Sequence, residues 1–84
     1  ANSSFVLDSS EQISAQLSEG TVDEQTFIRK AFATLLGITA SDVEIAASKR
    51  SLHSWQDLPN GSTSEARKYF VWALINHNDF VTLR

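Results

Sequence analysis

The feature that most constrains the fold is a continuous apolar run at residues 69–75. It follows a helix-start pattern, because Ser62 precedes Glu65 by three residues and each side chain can satisfy a backbone N–H at a helix start. A surface helix has one apolar stripe, whereas a helix that is apolar on nearly all sides must be surrounded by other elements. The sequence therefore predicts a central core helix over about 65–77.

The N-terminal segment predicts a leader followed by a short helix. Residues 1–7 begin polar and end in an apolar triplet, which we expect to dock onto the body of the domain. Asp8 or Ser9 can cap the helix that follows, and Gly20 supplies the left-handed residue that often ends one. The helix is weakly amphipathic, since the polar side chain of Gln16 narrows its apolar stripe.

The clearest local signal predicts an amphipathic helix over about 22–36. Thr21 and Glu24 form a capping box at its start, and apolar residues then recur at spacings of three and four. Gly37 ends the helix, and Ile38 can fold back onto the last turn. These spacings place the apolar residues on one broad face.

The segment after Gly37 predicts a shorter third helix and a separate helical turn. Thr39 with Asp42 resembles a helix start, and we expect the helix to fade at 49–50. Three apolar residues at three-residue spacing then indicate the further helical turn: Leu52, Trp55 and Leu58. The proline, asparagine and glycine at 59–61 force the chain to turn before the central helix.

Together these segments predict one all-α domain over residues 1–84, a compact death-fold-like bundle of five or six short helices. The last is a short turn that Asp79 can cap. A chain of 84 residues buries only about 60–65% of its unfolded surface, which leaves nothing for a second core. No apolar run has the length of a membrane span, and cysteine is absent. We expect a cytoplasmic location.

No constellation of residues predicts a reaction. His53 and His77 each have an aspartate nearby in sequence, but a metal site needs three or four converging ligands. No serine lies in a nucleophile elbow. Trp55 and Trp72 can stack on a ligand, although large aromatic residues at helical spacing more often fill a core. We therefore expect no enzyme activity, no metal and no other cofactor.

The charge distribution is more informative. The net charge of -3 argues against general nucleic-acid binding, which needs a basic excess. All acidic residues up to position 24 precede the first basic residue, so the first helix and the start of the second are expected to form an acidic surface: Asp8, Glu11, Glu19, Asp23 and Glu24. Six of the seven basic residues form three adjacent pairs: Arg29 and Lys30, Lys49 and Arg50, Arg67 and Lys68. These charges either form solvated faces or bind a partner, either another copy or a related domain.

The last third of the chain carries a family resemblance. A loop at 57–61 with the sequence Asp-Leu-Pro-Asn-Gly precedes a helix whose centre, at 70–73, is Phe-Val-Trp-Ala, and a polar break at 77–79 leads to Phe80 and Leu83. This pattern resembles the C-terminal half of bacterial effector-associated domains, small helical modules similar to the death-fold superfamily. The resemblance implies an adaptor that binds domains of like fold and recruits proteases, TIR domains or NTPases in signalling or conflict systems.

Two alternatives remain open. Residues 32–38 and 42–43 are similar to the end of the first helix and the following loop of acyl carrier proteins, although the Asp-Ser-Leu attachment motif is absent. That comparison implies a carrier-like or enzyme-associated domain modified at a serine such as Ser62. The other alternative is a small nucleic-acid-binding bundle that uses Trp55 with the adjacent basic residues Arg67 and Lys68.

Overall fold

The computed structural model of the chain describes residues 3–20 and 23–82, with side chains from residue 8 onward. Within these ranges it contains four α-helices and no strand: α1 (Ser3–Ser18), α2 (Glu24–Ala31), α3 (Asp42–Gln56) and α4 (Thr63–Asn76). A π-helical segment, Phe32–Leu36, continues α2, and a 3₁₀ turn, Asn78–Phe80, follows α4. The predicted all-α class is confirmed. None of these helices is long and apolar enough to cross a membrane.

Helix α4 is the centre of the bundle, as predicted. It packs against α1 and α3, and it also contacts the π-helical segment and the 3₁₀ turn. Its apolar buried residues face these neighbours: Ala66, Phe70, Val71, Ala73 and Leu74. The prediction that α4 is covered on nearly every side is wrong, however, because Tyr69 and Ile75 are exposed and Trp72 is only partly buried.

Helix α2 and the π-helical segment close the other side of the core. Four of their side chains have no solvent exposure: Phe27, Ile28, Ala31 and Phe32. Asp23 caps α2: its carboxylate accepts a hydrogen bond from the backbone N–H of Thr26. This hydrogen bond lowers the pKa of the Asp23 carboxyl. Gly37 ends the π-helical segment in the left-handed region with φ of 68°, as predicted. The predicted capping role of Thr21 lies outside the described residues.

Helix α1 starts earlier than the sequence predicted. Residues 3–7 belong to the helix, so the prediction that they form a leader before a cap at Asp8 or Ser9 is wrong. A short polar residue favours a helix start but does not impose one, because it can also lie in the second turn with its side chain in solvent. The predicted stop is confirmed, since Gly20 has φ of 70° just after α1.

Helix α3 joins two elements that were predicted as separate, the third helix and the helical turn that begins at Leu52. Its cap is Ser41 and not Thr39: Ser41 Oγ accepts the N–H of Glu44 at 3.1 Å, and Glu44 Oε1 accepts the N–H of Ser41 at 2.8 Å. The helix continues through 49–50, because Leu52 falls on the same buried face as the residues before it. The predicted count of five or six helices is not confirmed for this reason.

The loop between α3 and α4 requires a residue without a side chain at position 61. The N–H of Gly61 donates to the carbonyl oxygen of Leu58 at 2.7 Å. A Cβ at this position would lie 2.7 Å from the carbonyl oxygen of Trp55 and 2.8 Å from that of Leu58, and would also clash with that of Gln56. These atoms belong to the backbone, so no side-chain rotation can relieve the overlap.

We expect Gly61→Ala to lower the free energy of unfolding by about 2 kcal/mol or more, since inserted atoms in a packed site force the backbone to move. Gly20→Ala is the matched control, because Gly20 has a left-handed backbone but open space around its Cβ position. Its cost is about 1–2 kcal/mol, the strain of a left-handed alanine. Urea unfolding of both variants measures the difference, and a smaller loss for Gly61→Ala would contradict the steric explanation.

Helix α1 presents small polar side chains to the interior. Ser14 Oγ is buried and donates to the carbonyl oxygen of Glu11 at 3.0 Å. Ser10 is fully buried, and its hydroxyl has no hydrogen-bond partner within the part of the chain that the structure describes. Burial of a hydroxyl without a partner costs about 1–3 kcal/mol.

Ser10→Ala is therefore expected to raise the free energy of unfolding by about 1 kcal/mol, because it removes the unpaired hydroxyl and places a better helix former in α1. Ser14→Ala is the control, since the hydroxyl lost there is hydrogen-bonded. Thermal and urea unfolding should show that Ser10→Ala has a higher free energy of unfolding than Ser14→Ala. The reverse order would show that the Ser10 hydroxyl has a partner in solution.

Candidate functional site

An apolar depression lies where the end of α3, the loop at 57–61 and α4 meet. We call it the aromatic groove, and we define it by Trp55, Leu58, Glu65, Tyr69 and Trp72. It consists of two adjoining depressions of about 290 and 510 Å³, and both are lined by Trp55, Leu58 and Tyr69. The larger one also borders Glu65 and the turn at 59–61.

The groove is held in shape by contacts beneath and beside it. Trp55 packs against the core, and its ring lies 6.0 Å from the ring of Phe80. The ring of Trp72 lies 5.5 Å from that of His77. The tight turn at Gly61 fixes the loop that presents Leu58, whose surface is 53% exposed. Neighbouring rings therefore hold Trp55 and Trp72, and both tryptophans remain partly accessible.

The two tryptophans differ from the sequence-based expectation. We expected both to fill the core, but each is only partly buried and contributes to the groove. Helix α4 places Tyr69 and Trp72 three residues apart on one side, and α3 brings Trp55 next to them. Large aromatic residues that stay accessible in one contiguous patch are characteristic of binding surfaces.

Three acidic residues lie in the groove or directly beside its residues in the chain, and we call them the rim. Glu65 lines the groove, the exposed Asp57 directly precedes Leu58, and the exposed Asp79 directly precedes Phe80, whose ring contacts Trp55. Glu65 Oε2 is 2.9 Å from Lys68 Nζ. This hydrogen bond to Glu65 raises the pKa of Lys68, so that amine is committed to an intramolecular pair. Lys68 Nζ also lies 5.2 Å from the centre of the Tyr69 ring, so the rim has three carboxylates and one amine that Glu65 already pairs.

The predicted acidic surface lies on α1, just after it and at the start of α2. Four of its residues are exposed to solvent: Asp8, Glu11, Glu19 and Asp23. Their exposure leaves them accessible to a partner, and their role in binding one stays a prediction. None of them lines the aromatic groove, and Glu11 instead lines a separate cleft between α1 and α4.

The basic pair Arg67 and Lys68 does not form an open surface. Arg67 is only 9% exposed, its guanidinium lies 4.6 Å from the centre of the Phe27 ring, and its Nη1 donates to Ser18 Oγ at 3.0 Å. It stabilises the contact of α1 and α2 with α4. Lys68 is paired with Glu65. Neither side chain is therefore presented as a simple partner-binding charge.

The other basic pairs are divided between solvent and internal contacts. Lys30 Nζ donates to the backbone oxygen of Glu19 at 3.4 Å, and Lys49 Nζ donates to Gln25 Oε1 at 3.2 Å. The arginine of each pair is exposed: Arg29 on α2 and Arg50 on α3. The pairs on α2 and α3 lie beside each other, since Lys49 reaches Gln25 of α2, whereas Arg67 and Lys68 of α4 contact Phe27, Ser18 and Glu65.

The alternative functions find little support in this geometry. Ser62 is the cap of α4, and its Oγ accepts the N–H of Glu65 at 3.0 Å. Trp55 lines the aromatic groove and Arg67 lines a cleft between α1 and α4, while Lys68, which lies beside Tyr69 of the groove, is paired with Glu65. His53 contacts Glu24 at 3.1 Å, and no cluster of three potential metal ligands occurs in residues 3–20 and 23–82.

Comparison of the chain with protein-family models, with curated proteins and with solved structures finds no significant match. The groove, its rim and the exposed charges are therefore the observations from which a function can be argued. Sequence reasoning missed the groove as a site, although one signal was present. The run at 69–75 is apolar in every direction, while the other helices are short, so some of its surface had to remain uncovered.

We expect Arg67→Ala to lower the free energy of unfolding by about 2–3 kcal/mol, because it removes a buried charge-assisted hydrogen bond and a cation–π contact. Arg29→Ala is the control, since Arg29 is exposed and surface substitutions usually change stability by less than about 0.5 kcal/mol. Urea unfolding compares them. Equal stability of the two variants would show that Arg67 is not structural.

Proposed function

We propose that this chain is a non-enzymatic protein–protein interaction domain, an adaptor module that binds a domain of like fold. The aromatic groove is the observation that carries this proposal. Tryptophan and tyrosine are enriched at the centres of protein interfaces, where they provide most of the binding free energy. Here Trp55, Tyr69 and Trp72 line one depression, with Tyr69 exposed and both tryptophans partly exposed.

The resemblance to bacterial effector-associated domains agrees with this assignment. Two of the segments that carry it, the loop at 57–61 and the helix centre at 70–73, contribute Leu58 and Trp72 to the groove. On this basis we assign the bundle to the death-fold-like class and place it in the cytoplasm. Its role is then to recruit effectors in bacterial signalling or immunity.

The exposed charges have a separate part in this proposal. The acidic residues on α1 and the exposed side chains of Arg29 and Arg50 do not line the groove. Such charges mainly accelerate and orient the encounter, because water and salt screen them. The groove, from which a partner displaces water, supplies most of the affinity.

The proposal can be tested with a variant that alters the groove and preserves the fold. Leu58→Asp places a charge in the groove at a side chain that is already 53% exposed, so folding should tolerate it. Ser64→Asp is the matched control. It introduces the same charge in the first turn of α4 at a residue that lines the cleft beside α1 and not the groove.

Proteins that co-purify with the wild-type domain and not with Leu58→Asp are identified, purified and titrated against each form. We expect the purified partner to bind the wild type and Ser64→Asp equally, and to bind Leu58→Asp at least about tenfold more weakly, which corresponds to about 1.4 kcal/mol. The proposal is wrong if no purified protein, including a second copy of this chain, distinguishes Leu58→Asp from the control.

A further inference from the structure

We propose that the aromatic groove of one copy binds the outward side of α3 of a second copy, in a head-to-tail contact. This inference rests on the proposed function, because it uses the same groove and names the partner surface that enters it. Three observations carry it: an exposed apolar residue on α3, its alignment with an exposed arginine, and the acidic rim of the groove.

One exposed apolar side chain lies apart from the groove. Among the side chains that the structure describes, the large apolar ones with substantial exposure are few: Val43, Leu58, Tyr69, Ile75 and Phe80. Leu58 and Tyr69 line the groove, Ile75 is on α4 three residues after Trp72, and the rings beside the groove include Phe80. Val43 is on α3 and is the most exposed of the set at 58%. The domain thus has a second apolar contact point.

Val43 aligns with other exposed residues on one side of α3. The buried residues of this helix include Ile45, Ser48 and Leu52, which face the core. Val43 and Arg50 are seven residues apart, about two helical turns, and therefore lie on the same side, away from the core. Ala46 lies between them and is also exposed. We call these three residues the α3 outer face.

The chemistry of the α3 outer face complements that of the groove. Val43 and Ala46 are small enough to let a helix approach an aromatic surface closely. Arg50 lies about 10 Å further along the helix, and an arginine is well suited to stack on tryptophan. The groove offers Trp55 and Trp72 for this contact, and carboxylates border it. The apolar side chains of the α3 outer face thus suit the apolar lining of the groove, and its arginine suits the tryptophans and the carboxylates of the rim.

A single copy cannot make this contact with itself. Trp55 projects from the core-facing side of α3 into the groove, whereas the α3 outer face is directed away from the core. The two surfaces are therefore separate parts of one domain, and their pairing joins different copies. Such a contact uses unlike surfaces, so each complex keeps one open groove and one open outer face and can add further copies.

Three variants of the purified domain test the contact. Leu58→Asp alters the groove, Val43→Asp alters the α3 outer face, and Ser64→Asp alters neither. Each adds one negative charge, so all three have the same net charge. Val43 and Ser64 both lie in the first turn of a helix, where an aspartate interacts favourably with the helix dipole. Circular dichroism confirms that each variant is folded before its mass is measured.

Sedimentation velocity over a range of concentrations measures association. We expect the mass of the wild type and of Ser64→Asp to increase with concentration, and each of the other two variants to remain a monomer. An equimolar mixture of Leu58→Asp and Val43→Asp should form a dimer and nothing larger, because one intact groove meets one intact outer face. A wild type that stays monomeric up to about 1 mM, or a mixture that does not associate, overturns the inference.

The two proposals fail in different ways. If the wild type is monomeric, but another purified protein binds it and Val43→Asp equally and binds Leu58→Asp weakly, the proposed function stands and the pairing of copies is wrong. If Leu58→Asp associates with itself and with every purified partner as the wild type does, both are wrong.

Discussion

The packing of Phe70 of α4 against Phe27 of α2 is the contact on which the other elements depend. Both rings have no solvent exposure, and their centres are 6.0 Å apart in a tilted arrangement. Phe70 also meets Phe80 at 6.2 Å, and Phe80 in turn supports Trp55. One row of rings therefore runs from the centre of the core to the aromatic groove. In a chain this small, the same aromatic residues determine both stability and the shape of the binding surface.

The sequence predicts a substantial part of the fold because several local signals agree. The apolar spacing before Gly37 and the helix start at Ser62 both correspond to observed helices. The start of α1 and the continuity of α3 were not predicted correctly. Helix boundaries depend on which face finds a neighbour in three dimensions, and capping signals at Asp8 and Thr39 do not contain that information.

The candidate site was less predictable than the fold. Adjacent basic residues look equivalent in a sequence, but Arg67 is turned toward Phe27 and Ser18, whereas Arg50 is in solvent. The difference arises from neighbouring helices and not from the residues beside each arginine. In the same way, the exposure of Tyr69 depends on how much of α4 the short helices can cover, which periodicity alone does not give.

The turn at Gly61 has a consequence for how this domain can diversify. One wall of the aromatic groove is formed by a loop that backbone hydrogen bonding and close backbone contacts keep in place. The side chain of Leu58 contributes little to that framework because it projects into solvent. Substitutions there can therefore change the chemistry of the groove surface while the backbone that frames it stays the same.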